Sequence, residues 1–203
     1  MKKLSYFASL LFAVALTASM SSCVVEDNAT SATDEPVVVD PEDEEPVEEG
    51  PLFSWIGGEE GATVVGGTVV GNGADAESVN YANSGFYTIR VSAKKANIET
   101  DNITITLDEP IAEGDVLSIT AYRNKDTDAN GNLYMLFENG ASIDEGGDVT
   151  WNNINEAIGQ EPNTNTYDLS EAVGSKTIQL ARSKGGTNVF ILNITIAKAA
   201  EAE

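Results

Sequence analysis

Residues 188–198 read NVFILNITIAK, and the way they alternate decides the fold. Side chains along a β-strand point to opposite faces in turn, which puts Phe190, Leu192, Ile194 and Ile196 on one side and Val189, Ile191, Asn193 and Thr195 on the other. Shorter runs with the same period precede it. Ile178 and Leu180 alternate in KTIQLAR (176–182), as do Leu117, Ile119 and Ala121 in VLSITAY (116–122). Ile103, Ile105 and Leu107 alternate in NITITL (102–107), and Tyr87, Ile89 and Val91 in FYTIRVSAK (86–94). Turn signals fall between them at Ala112-Glu113-Gly114-Asp115, Asn130-Gly131, Asn139-Gly140, Gly146-Gly147 and Gly185-Gly186. No stretch sustains a helical period; Asn153–Ile158 suits at most one helical turn. Short strands at this spacing predict an all-β fold, an antiparallel β-sandwich of jelly-roll type, over residues 52–198 with a short tail at 199–203.

Composition narrows function by exclusion. The 203 residues contain no His and one Cys, so imidazole general bases, Ser-His-Asp systems, His-ligated zinc and internal disulfides are all ruled out. The 33 acids against 11 bases give a net charge of -22, the wrong sign for neutralising phosphates, so no nucleic acid is expected as a partner. The charge is unevenly placed. Residues 1–23 carry two lysines and no acid; residues 24–49 carry 11 acids and no base; residues 50–203 carry 22 acids and 9 bases.

The first zone has Lys2 and Lys3, an apolar run from Leu4 to Ala18, and then Met20-Ser21-Ser22-Cys23. Fifteen mostly apolar residues are too few to span a bilayer and suit the h-region of a secretory signal, residues 1–22. Small residues before the only Cys make the segment resemble a bacterial lipoprotein signal, which implies acylation of Cys23 and a membrane partner through the lipid anchor. The acidic pair Glu26-Asp27, two valines behind the Cys, resembles the export signal of Bacteroidetes-type surface lipoproteins and implies the outer face of the outer membrane, with the periplasmic leaflet as the alternative. Residues 23–51 then form the second zone. Pro36, Pro41, Pro46 and Pro51 recur every five residues among repelling acids, a composition expected to stay disordered as a tether. Its roughly 28 residues at about 3.1 Å each reach on the order of 85 Å.

In the third zone, EPIAEGDVLSITAYRN (109–124) reads as a tight turn feeding a long strand, and GGTNVFILNITIAK (185–198) as the strand that closes a sandwich. Together they resemble jelly-roll domains of the galactose-binding and carbohydrate-binding-module type, and the resemblance implies a non-catalytic glycan binder; a structural or adhesive surface protein that contacts other proteins is the alternative. No binding motif of that family matches residue by residue. Candidate ligand groups come from local chemistry. Trp151 stands beside Asn152 and Asn153, where the indole could stack on a sugar ring while the amides bond its hydroxyls, or the ring could pack in the core. Trp55, Tyr81, Tyr122 and Tyr134 have the same two readings. Arg123, Lys125, Arg182 and Lys184 end two strands and offer a positive, hydrogen-bonding patch or a solvated rim. In KDTDANGNL, Asp126, Asp128 and Asn130 followed by Gly131 match the opening of a calcium loop, although Phe137 stands where the closing carboxylate belongs; a structural Ca²⁺ and a polar hairpin loop are both open. The carboxylates form no recognisable catalytic pair.

Overall fold

The computed structural model describes residues 50–124, 131–146, 151–154, 160–185 and 187–198. The strands in chain order are β1 (Phe53–Gly57), β2 (Ala62–Val65), β3 (Gly67–Asn72), β4 (Tyr81–Asn83), β5 (Phe86–Val91) and β6 (Asn102–Leu107), followed by β7 (Val116–Tyr122), β8 (Gly131–Phe137), β9 (Ser142–Asp144), β10 (Asn163–Asp168), β11 (Thr177–Gly185) and β12 (Val189–Ala197). Among the described residues the helical segments are three single 3-10 turns.

The strands build two antiparallel sheets. The first runs β10-β7-β12-β1-β2, with β5 also beside β12 and β4 beyond β5; the second runs β3-β6-β11-β8-β9. The chain is therefore the antiparallel β-sandwich that the alternation predicts. Its core lies between the sheets and follows the pleat. In β6, Ile103, Ile105 and Leu107 are buried while Thr104 and Thr106 face out, and β6 and β7 begin and end where the sequence places them. Trp55 of β1 is wholly enclosed.

Two expectations need correction. In β5, Ile89 and Val91 are buried but Tyr87 is half exposed. The strand pairs with β12 only through Ile89–Val91, and its first half leaves the sandwich to pair with β4 as a hairpin. In β12 the simple alternation breaks at a β-bulge, where the register shifts between Ile191 and Asn193. Val189 and Ile191 face the core before the bulge, Ile194 and Ile196 after it. Phe190 and Leu192 consequently do not share a core face with Ile194. The bulge sits where β12 exchanges β5 for β1 as its neighbour, and an extra residue there bends the strand to serve both.

Candidate functional site

Charge placement singles out one surface. The acids within strands are Asp144 and Asp168, each at the last position of its strand; the remaining described acids lie in connections. The outward side of the first sheet is left with two uncharged rows. Thr166 pairs with Ser118, Ser118 with Thr195, Thr195 with Ser54 and Ser54 with Val65. Beside that row, Thr164 pairs with Thr120, Thr120 with Asn193, Asn193 with Ile56 and Ile56 with Thr63. These residues face outward because their strand neighbours Leu117, Ile119, Ile194, Ile196 and Trp55 fill the core. Thr120 and Thr164 hydroxyls share a hydrogen bond of 2.7 Å, so neighbouring strands already present linked hydroxyls.

An aromatic group closes one end. Tyr122 stacks on Phe190 with ring centroids 5.4 Å apart and planes 17° from parallel. Tyr81 leans on the same Phe190 at 6.2 Å, and the Arg90 guanidinium lies 4.2 Å above the Tyr81 ring. Arg90 also donates from Nη2 to Ser78 Oγ at 3.3 Å, while its buried Nε has no hydrogen-bond partner among the described residues. The β4–β5 hairpin is pinned against this group. Asn83 Nδ2 donates to the Tyr122 hydroxyl at 3.1 Å, and Asn124 Nδ2 donates to Ser84 Oγ at 3.2 Å. Burial raises the Tyr122 phenol above its usual value, so it stays neutral. Ser84 and Gly85 both have positive φ, 53° and 86°, as a two-residue turn of this hand requires. The hairpin tip and Glu59 line a cleft of about 310 Å³. Chemically, the surface offers paired hydroxyls, an amide, an exposed Ile56 and a half-exposed Tyr81, a mixture that complements a neutral polyhydroxylated ligand.

The residues singled out from sequence go mostly elsewhere. Trp151 has no exposed surface; it belongs to the core, and its Nε1 donates to Glu145 Oε2 at 3.0 Å. It has no ring face to give a sugar, and of its two readings from sequence the fold takes core packing. Asn152 is half buried, with its backbone N–H on Asn163 Oδ1 at 2.7 Å and its Nδ2 on the Glu161 carbonyl at 2.8 Å. Asn153 is buried and bridges to Arg123, whose Nε donates to the Trp151 carbonyl at 2.8 Å. Arg182 donates from Nε to the Ser92 carbonyl at 2.7 Å and from Nη1 to the Thr187 carbonyl at 3.1 Å, and burial lowers its pKa. Both guanidiniums thus hold loops in place, and neither forms an open cationic patch. Tyr134 lies under Lys95, which is 4.1 Å from its ring centre and paired with Asp144 at 2.7 Å. Of the predicted aromatics, Tyr81 keeps part of its surface exposed beside the hydroxyl rows, under the Arg90 guanidinium.

Cys23, Lys125, Asp126, Asp128 and Asn130 lie outside the described residues, as does the side chain of Lys184. Among the described residues no group of three or more Cys, Asp or Glu is placed to hold a metal ion. One polar centre escaped sequence reasoning. Glu145, 3% exposed, accepts from Leu133 N–H at 2.5 Å, from Trp151 and from the Tyr167 hydroxyl. Burial raises its pKa, and the three donors work against that rise. Tyr167 is pushed well above the ordinary tyrosine value by burial and by the Glu145 charge, so it remains a donor.

Two solved structures show a distant likeness. One is the CBM22-1–GH10 modules of the Clostridium thermocellum endo-1,4-β-D-xylanase 10B complexed with xylohexaose, at 12% identity and a TM-score of 0.36, covering 73% of this chain and 27% of that one. The chain thus spans about a quarter of that protein's length. The other is the xylan-binding module CBM15, at 14% identity and a TM-score of 0.36, covering 74% of this chain and 100% of that one. The likeness is one of broad β-architecture. No protein-family model and no curated protein matches the chain.

Proposed function

We propose that this protein is a non-catalytic glycan-binding module, displayed on the outer face of the outer membrane through a lipid on Cys23. The observation that carries the binding role is the outward face of the first sheet, where eight hydroxyl and amide side chains stand in two rows within a strongly acidic chain and all but the buried Ser54 are exposed or half-exposed. Solvent-facing sheet positions left without charge give up a common source of solubility, and a polyhydroxylated ligand is the partner whose own donors and acceptors match hydroxyls and an amide. Binding without chemistry is favoured because the carboxylate with a raised pKa, Glu145, is enclosed in the core and does not open onto this face.

Affinity electrophoresis of the chain from residue 24 onward against a panel of neutral and acidic polysaccharides tests the reading. Thr120→Ala combined with Asn193→Ala, and separately Tyr81→Ala, should weaken binding about tenfold or more, equivalent to roughly 1.4 kcal/mol. Trp151→Phe, which stays buried, should leave affinity unchanged. Retention by no polysaccharide, or variants that bind like the parent chain, would overturn the proposal.

A further inference from the structure

Residues 61–74 read GATVVGGTVVGNGA, a run without a single charged side chain in a protein of 33 acids, built on TVVG repeated at a five-residue interval. The fold puts this run at a particular place. β2 is the last strand of the first sheet and β3 the first strand of the second, so each has a neighbour on one side only. Gly66 joins them at a corner with φ +74°, where a Cβ would come within 2.0 Å of the Leu52 carbonyl oxygen. The free edges of both sheets therefore meet along one side of the sandwich. Apolar exposure concentrates there as well. Of the six large exposed apolar residues among those described, four lie between residues 56 and 70: Ile56 (48%), Val64 (41%), Val65 (50%) and Val70 (54%).

An exposed strand edge is a template for pairing with another chain, and proteins usually blunt it with lysine, proline, a bulge or a covering segment. β2 carries none of these within its four residues. We infer that this edge is where two copies of the chain pair, β2 against β2 across a two-fold axis. A two-fold contact sets the same surface against itself, so it tolerates no net charge on the paired strands. That condition disfavours two of the remaining edges, while β4, which pairs with β5 alone and is also uncharged, is only three residues long and carries none of the large exposed apolar residues. β9 and β10, at the opposite ends of the two sheets, finish on Asp144 and Asp168, and two copies meeting there would oppose like charges. The run 61–74 is flanked by Glu59-Glu60 and Asp75 but contains no acid itself, so it offers two acidic copies a neutral line of approach. β-branched Thr63, Val64 and Val65 favour the extended pairing. The hydroxyl rows end on Thr63 and Val65 of the same strand, but pairing runs through the unpaired backbone side of β2 and does not depend on glycan binding.

Sedimentation velocity of the mature chain from residue 23 onward, carrying Cys23→Ala so that no acyl chain drives association, supplies the test. The weight-average mass should climb from monomer toward dimer with protein concentration. Added salt should tighten the dimer, because it screens repulsion between two acidic bodies while leaving a neutral edge contact intact. Val64→Lys should weaken dimerisation at least tenfold, whereas Val116→Lys, at an exposed valine on β7, should not. Amide exchange at residues 62–65 in the unsubstituted chain should slow as concentration rises, a readout that holds even if Val64→Lys perturbs folding. A chain that stays monomeric at every concentration, a Val64→Lys variant that dimerises like the parent, a dimer loosened by salt, or unchanged exchange at 62–65 would each overturn the proposal.

Discussion

Glu145 shows how one buried carboxylate ties two strands to the connection between them. Its oxygens take hydrogen bonds from β8 through Leu133, from β10 through Tyr167 and from the intervening connection through Trp151. Burial favours the protonated form, so Glu145 keeps its proton in the folded chain to a higher pH than its ordinary value near 4.5. Asp144 next to it adds a small push in the same direction, and is itself held low by Lys95 and Ser183. The stability tied to the Glu145 proton is complete below the unfolded value and is lost as pH rises through the raised folded value. The melting temperature of the parent chain relative to Glu145→Gln should therefore decline as pH goes from 4.5 toward 7. Parallel melting curves for the two proteins across that range would show that the carboxylate is not the titrating group.

At the scale of elements, connections carry as much of the architecture as the strands do. Asp75 sits in the 3-10 turn after β3, fully buried, and accepts from Ser78 Oγ at 3.2 Å, from Ser92 N–H at 3.2 Å, from Ala93 N–H at 3.0 Å and from the Ser92 hydroxyl. One side chain thus ties the exit of β3 to the end of β5. Asp75→Ala leaves several buried donors unpaired and should cost about 3 kcal/mol. Urea unfolding measures it: the midpoint should fall with the slope unchanged, and a midpoint within error of the parent would mean that water or another acceptor replaces the carboxylate. β6, β7 and most of β12 were legible because one face of each is buried, which imprints alternation on the sequence. β2, with one neighbour and three exposed residues, carries no such imprint. The hydroxyl rows were not legible either. Thr164, Thr120, Asn193 and Thr63 belong to four strands whose lateral order the sequence does not state, although Thr164 and Thr166 alternating in NTNTYD are a local sign of an outward hydroxyl face. Trp151 misled for a related reason. Its polar neighbours suggest a surface, but Asn152 donates its Nδ2 to the Glu161 carbonyl and its backbone N–H to Asn163 Oδ1, and Asn153 donates its backbone N–H to Gln160 Oε1, so both are spent on holding the chain beside the core.

Across the described domain, acids are sorted away from the two surfaces proposed to meet partners. Eleven of the 33 acids fall in residues 24–49, and the described acids of the domain keep to connections and strand ends, leaving two neutral surfaces, one of hydroxyl rows and one of strand edge. A neutral contact is short-ranged, so it needs the molecule to be held near its partners, and the proposed lipid at Cys23 followed by an acidic, proline-spaced segment would do that while repulsion would keep the domain clear of an anionic membrane. Acyl chains contribute roughly 0.8 kcal/mol per buried CH₂, and more than one is needed for stable attachment. Cys23→Ala should accordingly move the protein from the membrane to the soluble fraction and abolish incorporation of labelled fatty acid, without altering the melting temperature of a domain that begins near residue 50. Ser22→Ala, a neighbouring change that keeps a small residue before the Cys, should retain both the label and the membrane fractionation. If Cys23→Ala still sediments with membranes, attachment comes from another part of the chain and the anchor assignment fails; if it loses the label yet stays on membranes only when neutral polysaccharide is present, the glycan face rather than the lipid is holding it there.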